Sequence, residues 1–302
     1  TFSNGLTGEF IPSDLVRTSI IATKFSLDTD FLEKVISDEL PGRIEDLIPF
    51  TFNYPNKEMS TFVENIQIPV QLVDDRIIIP KGQYAIHTNI VFPKNYSLTV
   101  EAGTHLMLGP NVSLLSYNSI HMEGSLLEPI VVNRLNPKSA WGVIGVVSAK
   151  RKSVLKFVTI SGGGAGTKNI VNGIYFQGQL NFHYSDVEVV KSTIANSEGE
   201  DGLNVKKGHV TIIDSLFVNN KSDGFDGDWI YGKISGSHFL RNGNDGIDIS
   251  GSKIMIVDTI FFEMGDKAVS IGEQSQVDML NNRVQNSVYG VVVKDLSSAR
   301  IY

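Results

Sequence analysis

From Asp201 onward the chain alternates apolar and polar residues in short runs, and the runs recur every 22 residues. Gly202, Gly224, Gly246, Ala268 and Gly290 fall in one column, and Leu203, Phe225, Ile247, Val269 and Val291 in the next. Two residues further on stand Val205, Gly227, Ile249, Ile271 and Val293. Residues i and i+2 of a strand share a face. The apolar columns therefore point inward, and the column between them, Asn204, Asp226, Asp248, Ser270 and Val292, points outward. A period of about 20–25 residues with this alternation predicts a β-solenoid whose coils stack roughly 4.8 Å apart. The polar column is then a physical row of side chains.

A second pair of columns, Ile212/Ile234/Ile256 and Phe217/Phe239/Phe261, keeps the same spacing and reads as the second strand of each coil. Stacked phenylalanines at that period predict a core ladder rather than a ligand site. Short strands punctuated by Pro and Gly begin near Ile66 and read as earlier, less regular coils. Residues 154–161 read as one strand running into a corner, and the glycines at 162–166 as the base of a protruding loop, without the Lys and Ser/Thr of a phosphate loop. Asn172, Gly173, Ile174 and Tyr175 resemble the later Asp-Gly-Ile-Asp units but lie 29 residues before them, which places an insertion of about seven residues at 191–200.

Residues 1–60 do not repeat. Phe31, Leu32, Val35, Ile36 and Leu40 form the stripe of a short amphipathic helix, capped by Asp28 or Thr29 and stopped by Pro41 and Gly42. The expected organisation is an all-β right-handed parallel β-helix over 61–302, with an N-terminal cap region at 1–60 containing that helix. Residues 296–302 read as the start of another strand, so the solenoid is expected to continue past 302, or a further domain or subunit to cover its end.

The outward row carries the candidate chemistry. Asp226 and Asp248 are stacked neighbours, with Asp228 and Lys206 one step along the same face. Acids are poorly suited to a strand centre, and stacked like charges raise one another's pKa unless a cation relieves them. Asp226, Asp228 and Asp248 form an oxygen donor set suited to Ca²⁺; Lys206 and Lys267 are the cations in register. Trp229, at the edge of the face, is placed to stack on a sugar ring, with Asn204 and Arg241 as further contacts. Asp201, Asp223 and Asp245 sit at the turn before the strand, where Asp-Gly is ordinary corner chemistry.

Composition narrows the field. A net charge of −7 argues against nonspecific nucleic-acid binding. The chain has no cysteine, hence no disulfide or thiolate metal site, in keeping with an exported protein. No apolar run is long enough to span a membrane. Asn95, Asn111 and Asn220 fit the glycosylation pattern.

Together the columns resemble right-handed parallel β-helix proteins, the class of pectate lyases, polygalacturonases and uronan epimerases. The sequence Asn244-Asp245-Gly246-Ile247-Asp248, followed by Gly265-Asp266-Lys267, is similar to the polygalacturonase pattern, but Lys267 stands where that family has its second Asp, and the Gly-His-Gly coil is absent. The resemblance implies a secreted, periplasmic or cell-surface protein acting on a polysaccharide. Three readings follow: lyase or C5-epimerase chemistry on a uronate polymer, with Lys206 or Lys267 as base and calcium assisting; a non-catalytic solenoid for binding, adhesion or assembly; and a glycoside hydrolase with paired Asp226 and Asp248, or Asp228 and Asp248. No organic cofactor is expected.

Overall fold

The computed structural model describes residues 20–21, 58–164 and 169–302. The chain winds through about ten turns of about 22 residues each, and every full coil gives one strand to each of three sheets of nine, ten and eleven strands. Within the coils all pairing is parallel and in register; Leu203, Phe225, Ile247, Val269 and Val291 align as the period requires. Two antiparallel additions lie at sheet edges: Gln71–Val73 on Arg76–Ile79, and Ile20–Ile21 on Arg283–Gln285.

Each coil has three corners, and from Tyr184 to Asn286 every corner carries a residue in the left-handed region. Tyr184, Lys207, Trp229, Gly251 and Glu273 follow the nine-stranded sheet; Phe157, Lys191, Asp214, Gly236, Asp258 and Asn281 divide the other two; Asn196, Asn219, Arg241, Glu263 and Asn286 lead back to the first, all with φ between 47° and 59°. Such a residue reverses the alternation once and turns the chain without a loop. The expected second strand is therefore two strands. Residues 153–161 likewise break at Phe157 into Ser153–Lys156 and Val158–Ser161.

Corner backbone groups are satisfied from within. The N–H of Ser192 donates to Ser215 Oγ at 3.2 Å and that of Ser215 to Ser237 Oγ at 3.1 Å. The N–H of Asn220 donates to Asn242 Oδ1 at 3.2 Å. These ladders supply acceptors where the strand pairing stops. Asn220 is 2% exposed, so it serves this ladder and is inaccessible to glycosylation in the folded chain. The Phe217, Phe239 and Phe261 rings stack at 4.7 and 5.2 Å in a core fully shielded from water, as the spacing predicts.

The insertion lies at residues 162–177, not at 191–200. Gly178–His183 is the strand that pairs with Asp201–Lys206. Asn172 and Gly173, at φ 50° and 79°, form the two-residue turn of a hairpin joining Ile170–Val171 to Ile174–Tyr175. Both turn residues need positive φ, which Asn-Gly tolerates best. Val171, Ile174 and Phe176 pack on Val91, Leu115, Tyr117, Val143 and Val147, covering the outer side of the early nine-stranded sheet. The Phe176 ring lies over Gly145, where a Cβ would stand 2.6 Å from it.

Near the N-terminus of the solenoid, helix Met59–Asn65 buries Phe62 against Phe92, with ring centroids 5.7 Å apart. The helix expected at 29–40 lies outside the described residues. No helix among the described residues is long and apolar enough to cross a membrane.

Candidate functional site

Beyond the hairpin, the outer side of the nine-stranded sheet turns polar. Strand pairing places Asn181, Asn204, Asp226, Asp248 and Ser270 in one axial row, and His183, Lys206, Asp228 and Ser250 in a second row two residues along. Asn204 Nδ2 donates to Asp226 Oδ2 at 2.6 Å, and Asn204 Oδ1 faces His183 Nε2 at 3.3 Å. The Lys206 ammonium lies 3.2 Å from Asp228 and also donates to Gln177 at the base of the hairpin. Asn204 is fully buried, whereas Asp226 and Asp248 are half-buried.

Below this row the corner acids turn to the same side. A Cβ at Gly202, Gly224 or Gly246 would meet Asn220, Asn242 or Met264, so the start of each strand packs tightly on the corner behind it. Asp223 Oδ1 accepts the Asp245 N–H at 2.8 Å and the Asn244 side-chain amide at 2.7 Å. Asp245 Oδ1 accepts the Lys267 N–H at 2.9 Å. The Lys267 ammonium sits between Asp245, at 3.4 Å, and Asp266.

Crowding and burial shape the titration. Burial first, then the charges of Asp228, Asp248 and Asp223, push Asp226 well above the usual carboxylate range, with Lys206 working against them. Burial raises Asp223 to about 6, although its hydrogen bonds from Asp245 and Asn244 pull the other way. Burial would lower Lys267, but Asp266 and Asp245 outweigh it and the ammonium is held charged. Burial and Lys206 bring His183 down to about 4, against the bond to Asn204 that favours its protonation. His183 is thus a neutral imidazole near neutral pH.

The structure brings Asn204, Asp226, Asp248, Asp228 and Lys206 onto one face. Lys267 lies at its N-terminal edge, bound to two acids. Arg241 stands apart, in a corner column where its Nε donates to Asn219 at 3.0 Å. Trp229 is 51% exposed at the corner after the strand, its indole lying over Gly251 and facing the Lys207 ammonium at 5.6 Å. Lys207 also reaches the Tyr184 ring at 5.1 Å. Tyr184, Lys207 and Trp229 thus form a part-exposed aromatic and cationic edge beside the acids.

Asp226, Asp228 and Asp248, the residues expected to offer oxygens to calcium, lie on adjacent coils of this face. Among the described residues no group of three His, Asp or Glu side chains is placed to hold a metal ion. Asp228 turns to Lys206, and Asp226 takes the Asn204 amide.

Comparison with known proteins bears on the architecture. A sequence model described as "Right handed beta helix region" matches residues 152–302, the half of the chain that contains this face. The chain belongs to the right-handed β-helix family. Among solved structures, this β-helix is similar to the periplasmic alginate epimerase AlgG, with a TM-score of 0.35 and 9% identity over 81% of each chain. No curated protein matches the β-helix by sequence.

Three contributors to the face were not anticipated: Gln177, His183 and the hairpin ahead of them. His183 carried a usable signal, since Phe182 and Val205 fall in one inward column once the hairpin is removed from the register. Asp201 differs from its column mates in a way spacing could not show: the N–H of Asp223 donates to the Glu200 carbonyl instead of to it, and its Oδ2 has no hydrogen-bond partner.

Proposed function

We propose that this β-helix is a carbohydrate-active protein that holds a polysaccharide along the Asn204–Asp226–Asp248 row and cuts it by acid/base hydrolysis. The observation that carries this reading is the pair of carboxyls in register on neighbouring coils. Asp226 is half-buried, fixed by the Asn204 amide and raised well above the carboxylate range, as a proton donor needs. Asp248, its in-register neighbour, is the companion carboxylate. Neighbouring coils set the two backbones about 5 Å apart, close to the spacing of retaining pairs, so net retention at the anomeric carbon is the expected outcome. The Tyr184–Trp229 edge offers stacking surface for sugar rings.

A uronate-containing chain is the favoured substrate class. Neutral Asp223 and Asp226 weaken the repulsion of such a chain in mildly acidic solution, and the Lys207 ammonium at the corner offers a cation to its carboxylates. Such a substrate fits a secreted, periplasmic or cell-surface setting.

Lyase or C5-epimerase chemistry is the second reading, favoured by the position of Lys206 on the catalytic face. Its pairing with Asp228 argues against a free amine base.

The test is incubation with a panel of acidic and neutral polysaccharides, with and without calcium. New reducing ends without unsaturated uronate support hydrolysis. Unsaturated uronate, or inversion at C5 seen by NMR, supports the second reading. Binding without any product supports a non-catalytic solenoid. Loss of product in Asp226→Asn and Asp248→Asn ties the chemistry to the row, and unchanged activity in both removes it.

A further inference from the structure

The corner after the nine-stranded sheet recurs along the solenoid, but its residues change character. Tyr184, Lys207 and Trp229 stand on successive coils, and the column then passes to Gly251 and Glu273. Lys207 follows Asn204 by three residues, so its corner lies roughly 10 Å along the strand from the polar row. It borders the face that carries Asp226 and Asp248.

The cations of this face differ in what they meet. Lys206 is paired with Asp228, and Lys267 with Asp245 and Asp266. The Lys207 ammonium meets no carboxylate among the described residues. It donates to the Tyr184 hydroxyl at 3.3 Å and lies over the Tyr184 and Trp229 rings, 5.1 and 5.6 Å from their centroids. Aromatic rings hold an ammonium in place without neutralising it. A cation restrained in this way has less freedom left to lose when an anion binds.

Further along the column this arrangement does not recur. Gly251 is the seat of the Trp229 indole, Glu273 is exposed and of opposite sign, and Lys294 folds over Gly272 beside Asp295. The ring-held cation thus stands on one side of the Asp226–Asp248 pair, that of Asn204, and an acid holds the corner on the other side, that of Ser270.

We infer that Lys207 is a specificity-determining residue that reads the carboxylate of one uronate, the sugar on the Asn204 side of the Asp226–Asp248 pair, and that the sugar on the Ser270 side need not be acidic. Coils rise about 4.8 Å each, close to the advance of one sugar in an extended chain, so a polymer along the row sets about one sugar on each coil. The lysine side chain and the carboxylate arm of a sugar lying over Asn204 together span the distance from the corner to the row. The inference rests on the polysaccharide reading of this face and narrows its substrate class: a heteropolymer with uronates at intervals serves as well as a homopolyuronate, and a wholly neutral chain does not.

The experiment is titration calorimetry of the full chain with a homopolyuronate and with the same polymer after its carboxyls are reduced to alcohols. The expected result is tighter binding of the polyuronate. Lys207→Gln should lower that affinity roughly tenfold, the scale of one hydrogen bond to a charged group, while leaving the affinity for the reduced polymer and the unfolding midpoint unchanged. Cleavage of a partly reduced polymer reports the polarity: new ends on one side of the cut carry a uronate, those on the other carry either sugar, and Lys207→Gln erases the bias. The inference is overturned if the unmodified protein binds both polymers equally, if Lys207→Gln weakens both alike as lost packing would, if it changes neither, or if both new ends must be uronates. Carboxyl-dependent binding without any product sinks the hydrolytic reading alone, whereas binding of neither polymer sinks this inference together with the polysaccharide reading.

Discussion

Asn204 donates its amide to Asp226 across a coil boundary at 2.6 Å, and this bond sets the orientation of everything beside it. With Nδ2 committed to Asp226, Asn204 Oδ1 must face His183, whose Nε2 then carries the proton. His183, held neutral by burial, can supply that donor near neutral pH. Asn204→Ala leaves the half-buried Asp226 carboxyl without its amide. The expected cost is about 1–3 kcal/mol in chemical denaturation, together with at least a roughly tenfold loss of polysaccharide cleavage, the order expected for a misplaced acid. A variant with unchanged stability and turnover would show that the bond organises nothing.

The stability of the protein should fall as pH rises through neutrality. Asp201, Asp223 and Asp226 all have folded pKa values above their unfolded values near 4. Above the unfolded value the unfolded chain has released protons that the native state still holds, so the stabilising contribution is full below pH about 4 and is lost as the pH passes each folded value. For Asp223 that window ends at about 6, and the loss is on the order of 3 kcal/mol. Urea midpoints should decline from neutral to mildly alkaline pH, above the range in which His183, lowered to about 4, adds stability as the pH rises. A midpoint that rises over this range contradicts the titration behaviour of the three acids.

The winding was legible because equivalent residues recur: the columns headed by Leu203 and Phe217 are the core as built. The third side of each coil was not legible, because the residues that make its corner, such as Asp214 and Phe157, are L-residues in a left-handed conformation that no residue type announces. The period reads the hairpin as a coil because Asn172-Gly173 imitates the Asp-Gly of the later turns. The flanking Ile170, Val171, Ile174 and Tyr175 carry the local signal of a two-residue hairpin turn, which the 22-residue period masks. The row of Asn204, Asp226 and Asp248 followed from alternation alone. The isolation of Asp201 could not, since it depends on which carbonyl wins the Asp223 N–H.

Phe239 sits between Phe217 and Phe261 with stacking on both sides. Phe239→Ala opens a void in a close-packed stack and should cost about 3–5 kcal/mol, read as a drop in the denaturant midpoint. The damage should be greatest near the acid row, because a Cβ at Gly224 would lie 2.8 Å from this ring, which shows how closely the core supports the strand start. A loss below about 1 kcal/mol would mean that the neighbouring rings close the gap.

Trp229 contributes surface rather than core, being half exposed and held flat on Gly251. Trp229→Ala should leave the unfolding midpoint within about 0.5 kcal/mol of the original protein while weakening retention on an immobilised polysaccharide severalfold. Gly251→Ala tests the same platform from beneath. Its Cβ would stand 2.7 Å from the indole at a φ of +58°, so the ring must lift. Intrinsic fluorescence should shift, and binding should fall as in Trp229→Ala. Binding that is indifferent to both changes would remove the corner from the sugar path.

Lys206 separates the two catalytic readings, because each asks the opposite of it. In hydrolysis it is a counter-charge: it pairs with Asp228 and holds down the carboxyls of Asp226 and Asp201, whose burial pushes them up. Lys206→Met takes that restraint away, so both acids keep their protons to higher pH. Activity should persist, with the alkaline limb of its pH profile moved upward. As a base abstracting the C5 proton of a uronate, the same lysine would be indispensable, and the variant would give no product at any pH. Product formation by Lys206→Met across the pH range therefore decides between them: a displaced profile assigns the chemistry to the carboxyl pair, and silence at every pH, in a variant that still unfolds cooperatively, assigns it to the amine.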